Sequence, residues 1–228
     1  MTNTPNSEQM LREVQTCLED LVAARAAMPP RLDFATIPAA EKDAASSVEL
    51  CLLNLEHFVR SFQSAASLFD YSFRRLREGI QGPDGLVLPE PRCDYQSRGW
   101  MGIAGRDGAM SIYHFGVTAA GVRSGLGLCR SVGARIDHKE LRAALREFEQ
   151  GFPAYVAMRD AVAHSADRLL SPSKLREHTP ANNVVIADGF IGSTFTTTWE
   201  GKALSYDLSQ PSLNKLESTR RRIWNLFR

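Results

Sequence analysis

The sequence predicts a mainly α protein: an antiparallel helical bundle with a small C-terminal β-hairpin or sheet and a final helix. Three observations carry this. Apolar residues recur at steps of three and four through most of the chain up to residue 170, the period of helices with one buried side. From Asn183 to Leu208 the composition turns to Val, Ile, Thr, Phe, Trp and Tyr, punctuated by Asp188-Gly189 and Glu200-Gly201. Ser212 to Arg228 then return to helical spacing. The 228 residues read as one domain, with a helical core over 7–170, a β-hairpin insertion over 183–208 and a C-terminal helix over 212–228.

Taken in order, a first helix spans residues 7 to 28. Ser7 caps it, Leu11, Val14, Leu18, Leu21 and Ala24 form its apolar side, and Pro29-Pro30 ends it. From Pro38 to about Ile80, Val48, Leu52, Leu55, Val59, Phe62, Ala66, Phe69, Phe73 and Leu76 make an unbroken seam, widened by Leu53, Phe58 and Leu68. A wide stripe of this kind fits a core helix of a bundle, with a coiled coil to another chain as the alternative. His57, beside the stripe, reads as structural. Gln81 to Gln96, with Gly-Pro-Asp-Gly and Pro-Glu-Pro, reads as a loop. A third helix covers about Arg98 to Cys129, its apolar side marked by Trp100, Ile103, Met110, Tyr113 and Val117. Its many glycines each cost about 1 kcal/mol relative to alanine in a helix, which points to close backbone approach of a neighbour. Asp137 caps a fourth helix, His138 to Gln150, with Leu141, Ala144, Leu145 and Phe148 inward.

Gly151 to Leu170 reads as a fifth helix with Pro153 in its first turn and a stop near Ser171-Pro172. In the sheet region, Phe195–Trp199 and Ala203–Leu208 flank Glu-Gly-Lys as a hairpin, with Val184 to Ala187 as a candidate third strand. The last helix turns Leu213, Leu216, Ile223, Trp224 and Phe227 inward. Its Arg220-Arg221-Arg222 run suits the negative end of a helix dipole, with a phosphate patch as the alternative.

Composition narrows the function classes. No apolar run reaches the roughly 18 residues of a membrane span, and the first residues lack a signal-peptide pattern, so a cytoplasmic protein without membrane contact is expected. Cys17, Cys51, Cys93 and Cys129 are too scattered for a zinc knuckle, and neither a metal site nor a cofactor is expected. The turns carry no phosphate-loop glycine pattern. Net charge is +1, which neither supports nor excludes an RNA substrate; 22 of the 27 basic residues are arginine, whose planar fork suits phosphate.

The candidate chemistry lies on the fifth helix, where Arg159, Asp160 and His164 interrupt an apolar sequence. Asp160 and His164 are four apart and share a face, whereas Arg159 sits about 140° round the helix from His164. On the third helix, Arg106 and His114 are candidate substrate-binding residues looking toward one groove. The alternative is that Arg106 pairs with a carboxylate and His114 packs in the bundle.

An arginine, a polar residue, three further residues and a histidine on a late helix of an all-helical chain resemble the HEPN superfamily, the motif falling on Arg159, Asp160 and His164. The architectural likeness covers residues 7 to 170; the hairpin and last helix lie outside it. The resemblance implies a homodimer whose motif helices face each other across a cleft, and in many members RNA cleavage without metal, in toxin–antitoxin or antiviral-defence settings. Arg159 and His164 would then be catalytic, with Asp160 orienting one of them, and an antitoxin or defence protein as partner. Imidazole exchanges protons near neutrality, and a guanidinium stabilises charge on a phosphoryl group. Other members are dimerising or RNA-binding scaffolds, so two readings stand: a metal-independent endoribonuclease, or a non-enzymatic helical interaction protein in which the trio is a structural network.

Overall fold

A computed structural model describes residues 28–78, 80–81, 87–88, 91–167, 170–180 and 188–228. The helix expected over residues 7 to 28, apart from Met28, and the strand expected at Val184 to Ala187 lie outside the described residues. Within them the fold is mainly α, with a small antiparallel sheet before the last helix.

A 3₁₀ turn, Ala39–Glu41, leads into α1, Lys42–Glu78. The seam lies inside the molecule: Val48, Leu52, Leu55, Val59, Phe62 and Phe69 are all buried. It packs chiefly on α2, Pro91–Leu128, so the seam is used within the chain rather than in a coiled coil with another. The two helices run antiparallel, since Val48 meets Gly125, Cys51 meets Gly121, Phe58 meets His114 and Tyr71 meets Trp100. Of the loop expected over Gln81 to Gln96, residues 91–96 are helical and belong to α2. Ile80–Gln81 (β1) pairs antiparallel with Val87–Leu88 (β2). α2 starts at Pro91, because proline at a first helical position gives up no hydrogen bond.

The buried face of α2 differs from the one expected. Met101, Ala104, Ile112, Phe115, Ala119, Val122 and Leu126 are buried, whereas Ile103 is 43% exposed and Val117 48%. The glycines explain the reversal. A Cβ at Gly105 would lie 2.2 Å from a ring carbon of Phe195, and one at Gly125 2.6 Å from Val48 Cγ2. The small residues therefore mark the inward face, where neighbours approach the helix backbone, and several large residues are left outside.

After a short turn, α3 (Arg130–Gly133), the chain enters α4 (His138–Gly151), capped by Asp137, whose Oδ1 accepts from the backbone N–H of Lys139 and Glu140 at 2.8 and 3.0 Å. Leu141, Ala144 and Phe148 face inward as expected. The following helix is much shorter than predicted. Phe152 is buried with φ −138° and ψ 62°, Pro153 lies in the resulting turn, and α5 runs only over Tyr155–Ala163. His164 closes it. A separate helix, α6 (Pro172–Glu177), follows with Ser171 as its cap.

Three strands follow: β3 (Gly189–Ile191), β4 (Thr194–Trp199) and β5 (Lys202–Asp207), in that spatial order. Trp199 pairs with Lys202 across Glu200-Gly201, both at positive φ (46° and 70°), the two-residue turn that matches strand twist. Phe195 and Leu204 pack on Ala109 of α2 and on Met158, Ala161 and Val162 of α5, forming a small core beside the main one.

The last helix, α7 (Gln210–Asn225), buries Leu213, Leu216, Ile223 and Trp224, and Trp224 Nε1–H donates to the Leu52 carbonyl at 3.0 Å. Its arginine run is engaged with carboxylates of the chain itself. Arg220 pairs with Glu56 of α1 and Arg221 with Glu217. Arg222 pairs with Glu140 and Glu147 of α4. Arg220 and Arg222 fasten α7 across the bundle, while the exposed Arg221 pairs within its own helix.

Two outcomes follow from this packing. Gly105→Ala drives a methyl group into Phe195 and lowers stability by about 1–3 kcal/mol in a denaturant titration, whereas Gly99→Ala, with nothing within 4 Å, does not. Arg222 holds the Glu140 carboxyl below its ordinary 4.5, first through its hydrogen bond and then through its charge. A depressed carboxyl contributes stability above its ordinary value and loses it as pH falls through the native one. Thermal melts of wild type therefore fall more steeply below pH 4.5 than those of Glu140→Gln.

Candidate functional site

The motif residues sit at the end of α5, where the helix leaves α2 for the sheet, and they divide between two neighbourhoods. Arg159 turns to α2. Its Nη1 donates to Asp160 Oδ1 at 2.6 Å, its Nη2 donates to Tyr113 Oη at 3.1 Å, and its guanidinium carbon stands 4.6 Å from the Tyr113 ring centroid. The Tyr113 hydrogen bond, ahead of the Asp160 charge, holds the guanidinium above its ordinary value, so it is a permanent cation. About a third of the Arg159 and Asp160 side chains remains exposed.

His164 turns to the sheet. Its ring stacks on Trp199 of β4, with centroids 5.9 Å apart and planes at 26°. Nδ1 lies 3.0 Å from Asp167 Oδ2, and the side chain is 51% exposed. An ionised carboxylate only accepts, so the ring hydrogen belongs on Nδ1 and the Nε2 lone pair is left free; Nε2 has no hydrogen-bond partner among the described residues. Asp160 and His164 are joined by the helical hydrogen bond from the His164 N–H to the Asp160 carbonyl, 3.0 Å, and not through their side chains. The carboxylate that orients His164 is Asp167.

His164 opens on a cleft of about 410 Å³ between the end of α5, α6 and the β4–β5 turn. Asp167, Lys174, Glu177, His178, Trp199 and Glu200 line it with His164, and Arg159 does not. Sequence reasoning missed Asp167, although the step of three from His164 is legible. It also missed His178 and Trp199, for which no local signal exists: the fold alone brings them to His164. His178 is 4% exposed, stacks on Trp199 at 4.4 Å and 22°, and its Nδ1 accepts the Glu200 backbone N–H at 3.0 Å. Lys174 Nζ donates to Glu177 at 2.8 Å, which keeps the ammonium charged.

The structure does not unite the two candidates on α2. Arg106 pairs with Asp188, just before β3, at 3.5 Å. His114 stacks on Phe58 of α1 at 5.3 Å and lines a groove of about 430 Å³ between α1 and α2, together with Ser61, Asp107 and Met110. Arg106 is not among the residues lining that groove. Among the described residues no group of three His, Cys, Asp or Glu side chains is placed to hold a metal ion, and Cys51 and Cys129 are free thiols. No described helix is long and apolar enough to cross a membrane.

The class these observations define is a helical bundle with a sheet-flanked histidine cleft at the end of a short inner helix. No protein-family model, curated protein or solved structure matches the chain.

Tyr113→Phe keeps the ring under Arg159 and removes the hydroxyl it donates to. The denaturant midpoint falls modestly, and an unchanged midpoint means that this hydrogen bond does not help hold α5 to α2.

Proposed function

We propose that this chain is a HEPN-like endoribonuclease that works without metal and as a homodimer, with His164 as its proton-transfer group. The observation that carries this reading is the state of His164: an imidazole fixed by Asp167 through Nδ1, stacked on Trp199, on an open cleft, with no partner for Nε2 among the described residues. An oriented, accessible imidazole with one free nitrogen is what general base catalysis needs. The ribose 2′-hydroxyl gives its proton to Nε2 as its oxygen attacks the neighbouring phosphorus. The bond to the 5′-oxygen breaks, that oxygen takes a proton, and a 2′,3′-cyclic phosphate and a 5′-hydroxyl remain. Within one chain Arg159 does not line the His164 cleft. A site that uses both therefore draws the guanidinium from a second copy, whose protonated His164 can also serve the leaving oxygen. A toxin or defence role is the setting in which such an activity fits, with an antitoxin or another defence protein as partner.

One observation favours the scaffold reading. Arg159 is occupied by Asp160 and Tyr113, a link between α5 and α2 that needs no substrate to explain it.

Single-stranded RNA incubated with purified protein in EDTA separates the two. The nuclease reading expects fragments ending in cyclic phosphate, a loss of at least a hundredfold in His164→Ala, and a smaller loss in Asp167→Asn, which still accepts from Nδ1–H but lacks the charge. Cleavage by His164→Ala at the wild-type rate rejects the assignment. An Arg159→Ala variant that cuts normally but melts earlier favours the scaffold role for that residue.

A further inference from the structure

We propose that His178 is a second ligand-binding imidazole of the same cleft, its Nε2–H donating to a phosphoryl oxygen of the phosphodiester on which His164 acts. This rests on the ribonuclease reading above and adds a residue that the Arg-polar-His motif does not contain.

The argument begins with the hydrogen positions on the two rings. His164 Nδ1 faces a carboxylate, which accepts, so its Nε2 is bare. His178 Nδ1 faces the backbone N–H of Glu200, which donates at 3.0 Å, so Nδ1 is bare and the neutral ring carries its hydrogen on Nε2. The partners thus set opposite tautomers, and one ring brings an acceptor to the cleft while the other brings a donor. Both stack on the Trp199 indole, at 5.9 and 4.4 Å, which fixes the two rings around one rigid frame.

His178 is 4% exposed, yet it lines the cleft, and its Nε2 has no partner among the described residues. An acceptor that enters the cleft and meets this N–H gains a hydrogen bond that no described residue supplies. With its Nδ1 lone pair engaged by the Glu200 N–H, His178 offers the cleft a hydrogen-bond donor. Its role is to steady the charge that grows on a phosphoryl oxygen.

The surrounding charges disfavour a doubly charged ligand. Lys174 adds a cation, but Asp167, Glu177 and Glu200 also line the cleft. With this excess of carboxylates a doubly charged phosphomonoester is repelled more than a singly charged diester. An internal phosphodiester of RNA, rather than a terminal phosphate, is the expected ligand.

The test follows the histidine ring signals by NMR as a non-cleavable 2′-O-methyl ribodinucleotide is added to the full chain. The signals of His164 and His178 should move together with one Kd, those of His57 and His138 should stay still, and inorganic phosphate should bind far more weakly. His178→Asn supplies an amide oxygen for the Glu200 N–H but has no donor at the outer position. It should weaken dinucleotide binding at least tenfold and lower kcat for RNA cleavage about a hundredfold. A His178 signal that does not respond overturns the proposal, as does a His178→Asn protein that binds and cuts like wild type. Should His178→Asn fail to fold, the ring signals of wild type decide alone. A wild type that binds the dinucleotide through His178 without cutting RNA refutes the nuclease reading and leaves the site standing. RNA cleavage indifferent to His178 does the reverse.

Discussion

The close approach of neighbours to the glycine- and alanine-lined face of α2 is the constraint on which the rest of the structure depends. At Gly105 and Gly108 a side chain would collide with Phe195 and Tyr206 of the sheet, at Gly116 with Phe148 of α4, and at Gly125 with Val48 of α1. Because α2 is thin on that face, three different elements can rest on its backbone at once. The Tyr206 hydroxyl even reaches in to donate to the Gly105 carbonyl, and burial pushes that phenol well above its ordinary value. The sheet is thereby held against α2 and α5, and Trp199 is placed where both cleft histidines stack on it.

Around that centre the chain is fastened by polar links between distant segments. Ser131 donates twice to Glu41, tying α3 to the 3₁₀ turn that leads into α1. Arg220 lies over Trp224 and pairs with Glu56, while Arg222 reaches α4. These contacts explain why an arginine-rich C-terminal helix is a structural element here, its charges answered by carboxylates of the bundle. The same logic applies to Arg159, whose fork is shared between Asp160 and Tyr113. His164 differs from these: it is oriented, half exposed and open on one nitrogen.

Much of the helical architecture was legible because apolar periodicity is a local signal. The α1 seam, the Asp137 cap and the Glu200-Gly201 turn all depend on neighbours in the chain, and each is found where the spacing puts it. On α2 side-chain size is a poor mark of burial. In a tightly packed helix the smallest residues face inward, and Ile103 and Val117 are left outside. The fifth helix begins later than its spacing suggests because Phe152 is drawn into the core and bends the chain before Tyr155.

The amino-acid pattern by itself determined the mainly α class, the late β-hairpin and the presence of an Arg-Asp-x3-His motif on a late helix, since these depend on period, propensity and order along the chain. Only the tertiary structure decided which groups that motif meets. Asp160 serves Arg159, Asp167 serves His164, and His178 arrives beside His164 through Trp199. The physical reason is distance along the chain: stacking and hydrogen bonding act over a few ångströms, and residues 164, 178 and 199 come that close only when α5, α6 and the sheet are packed.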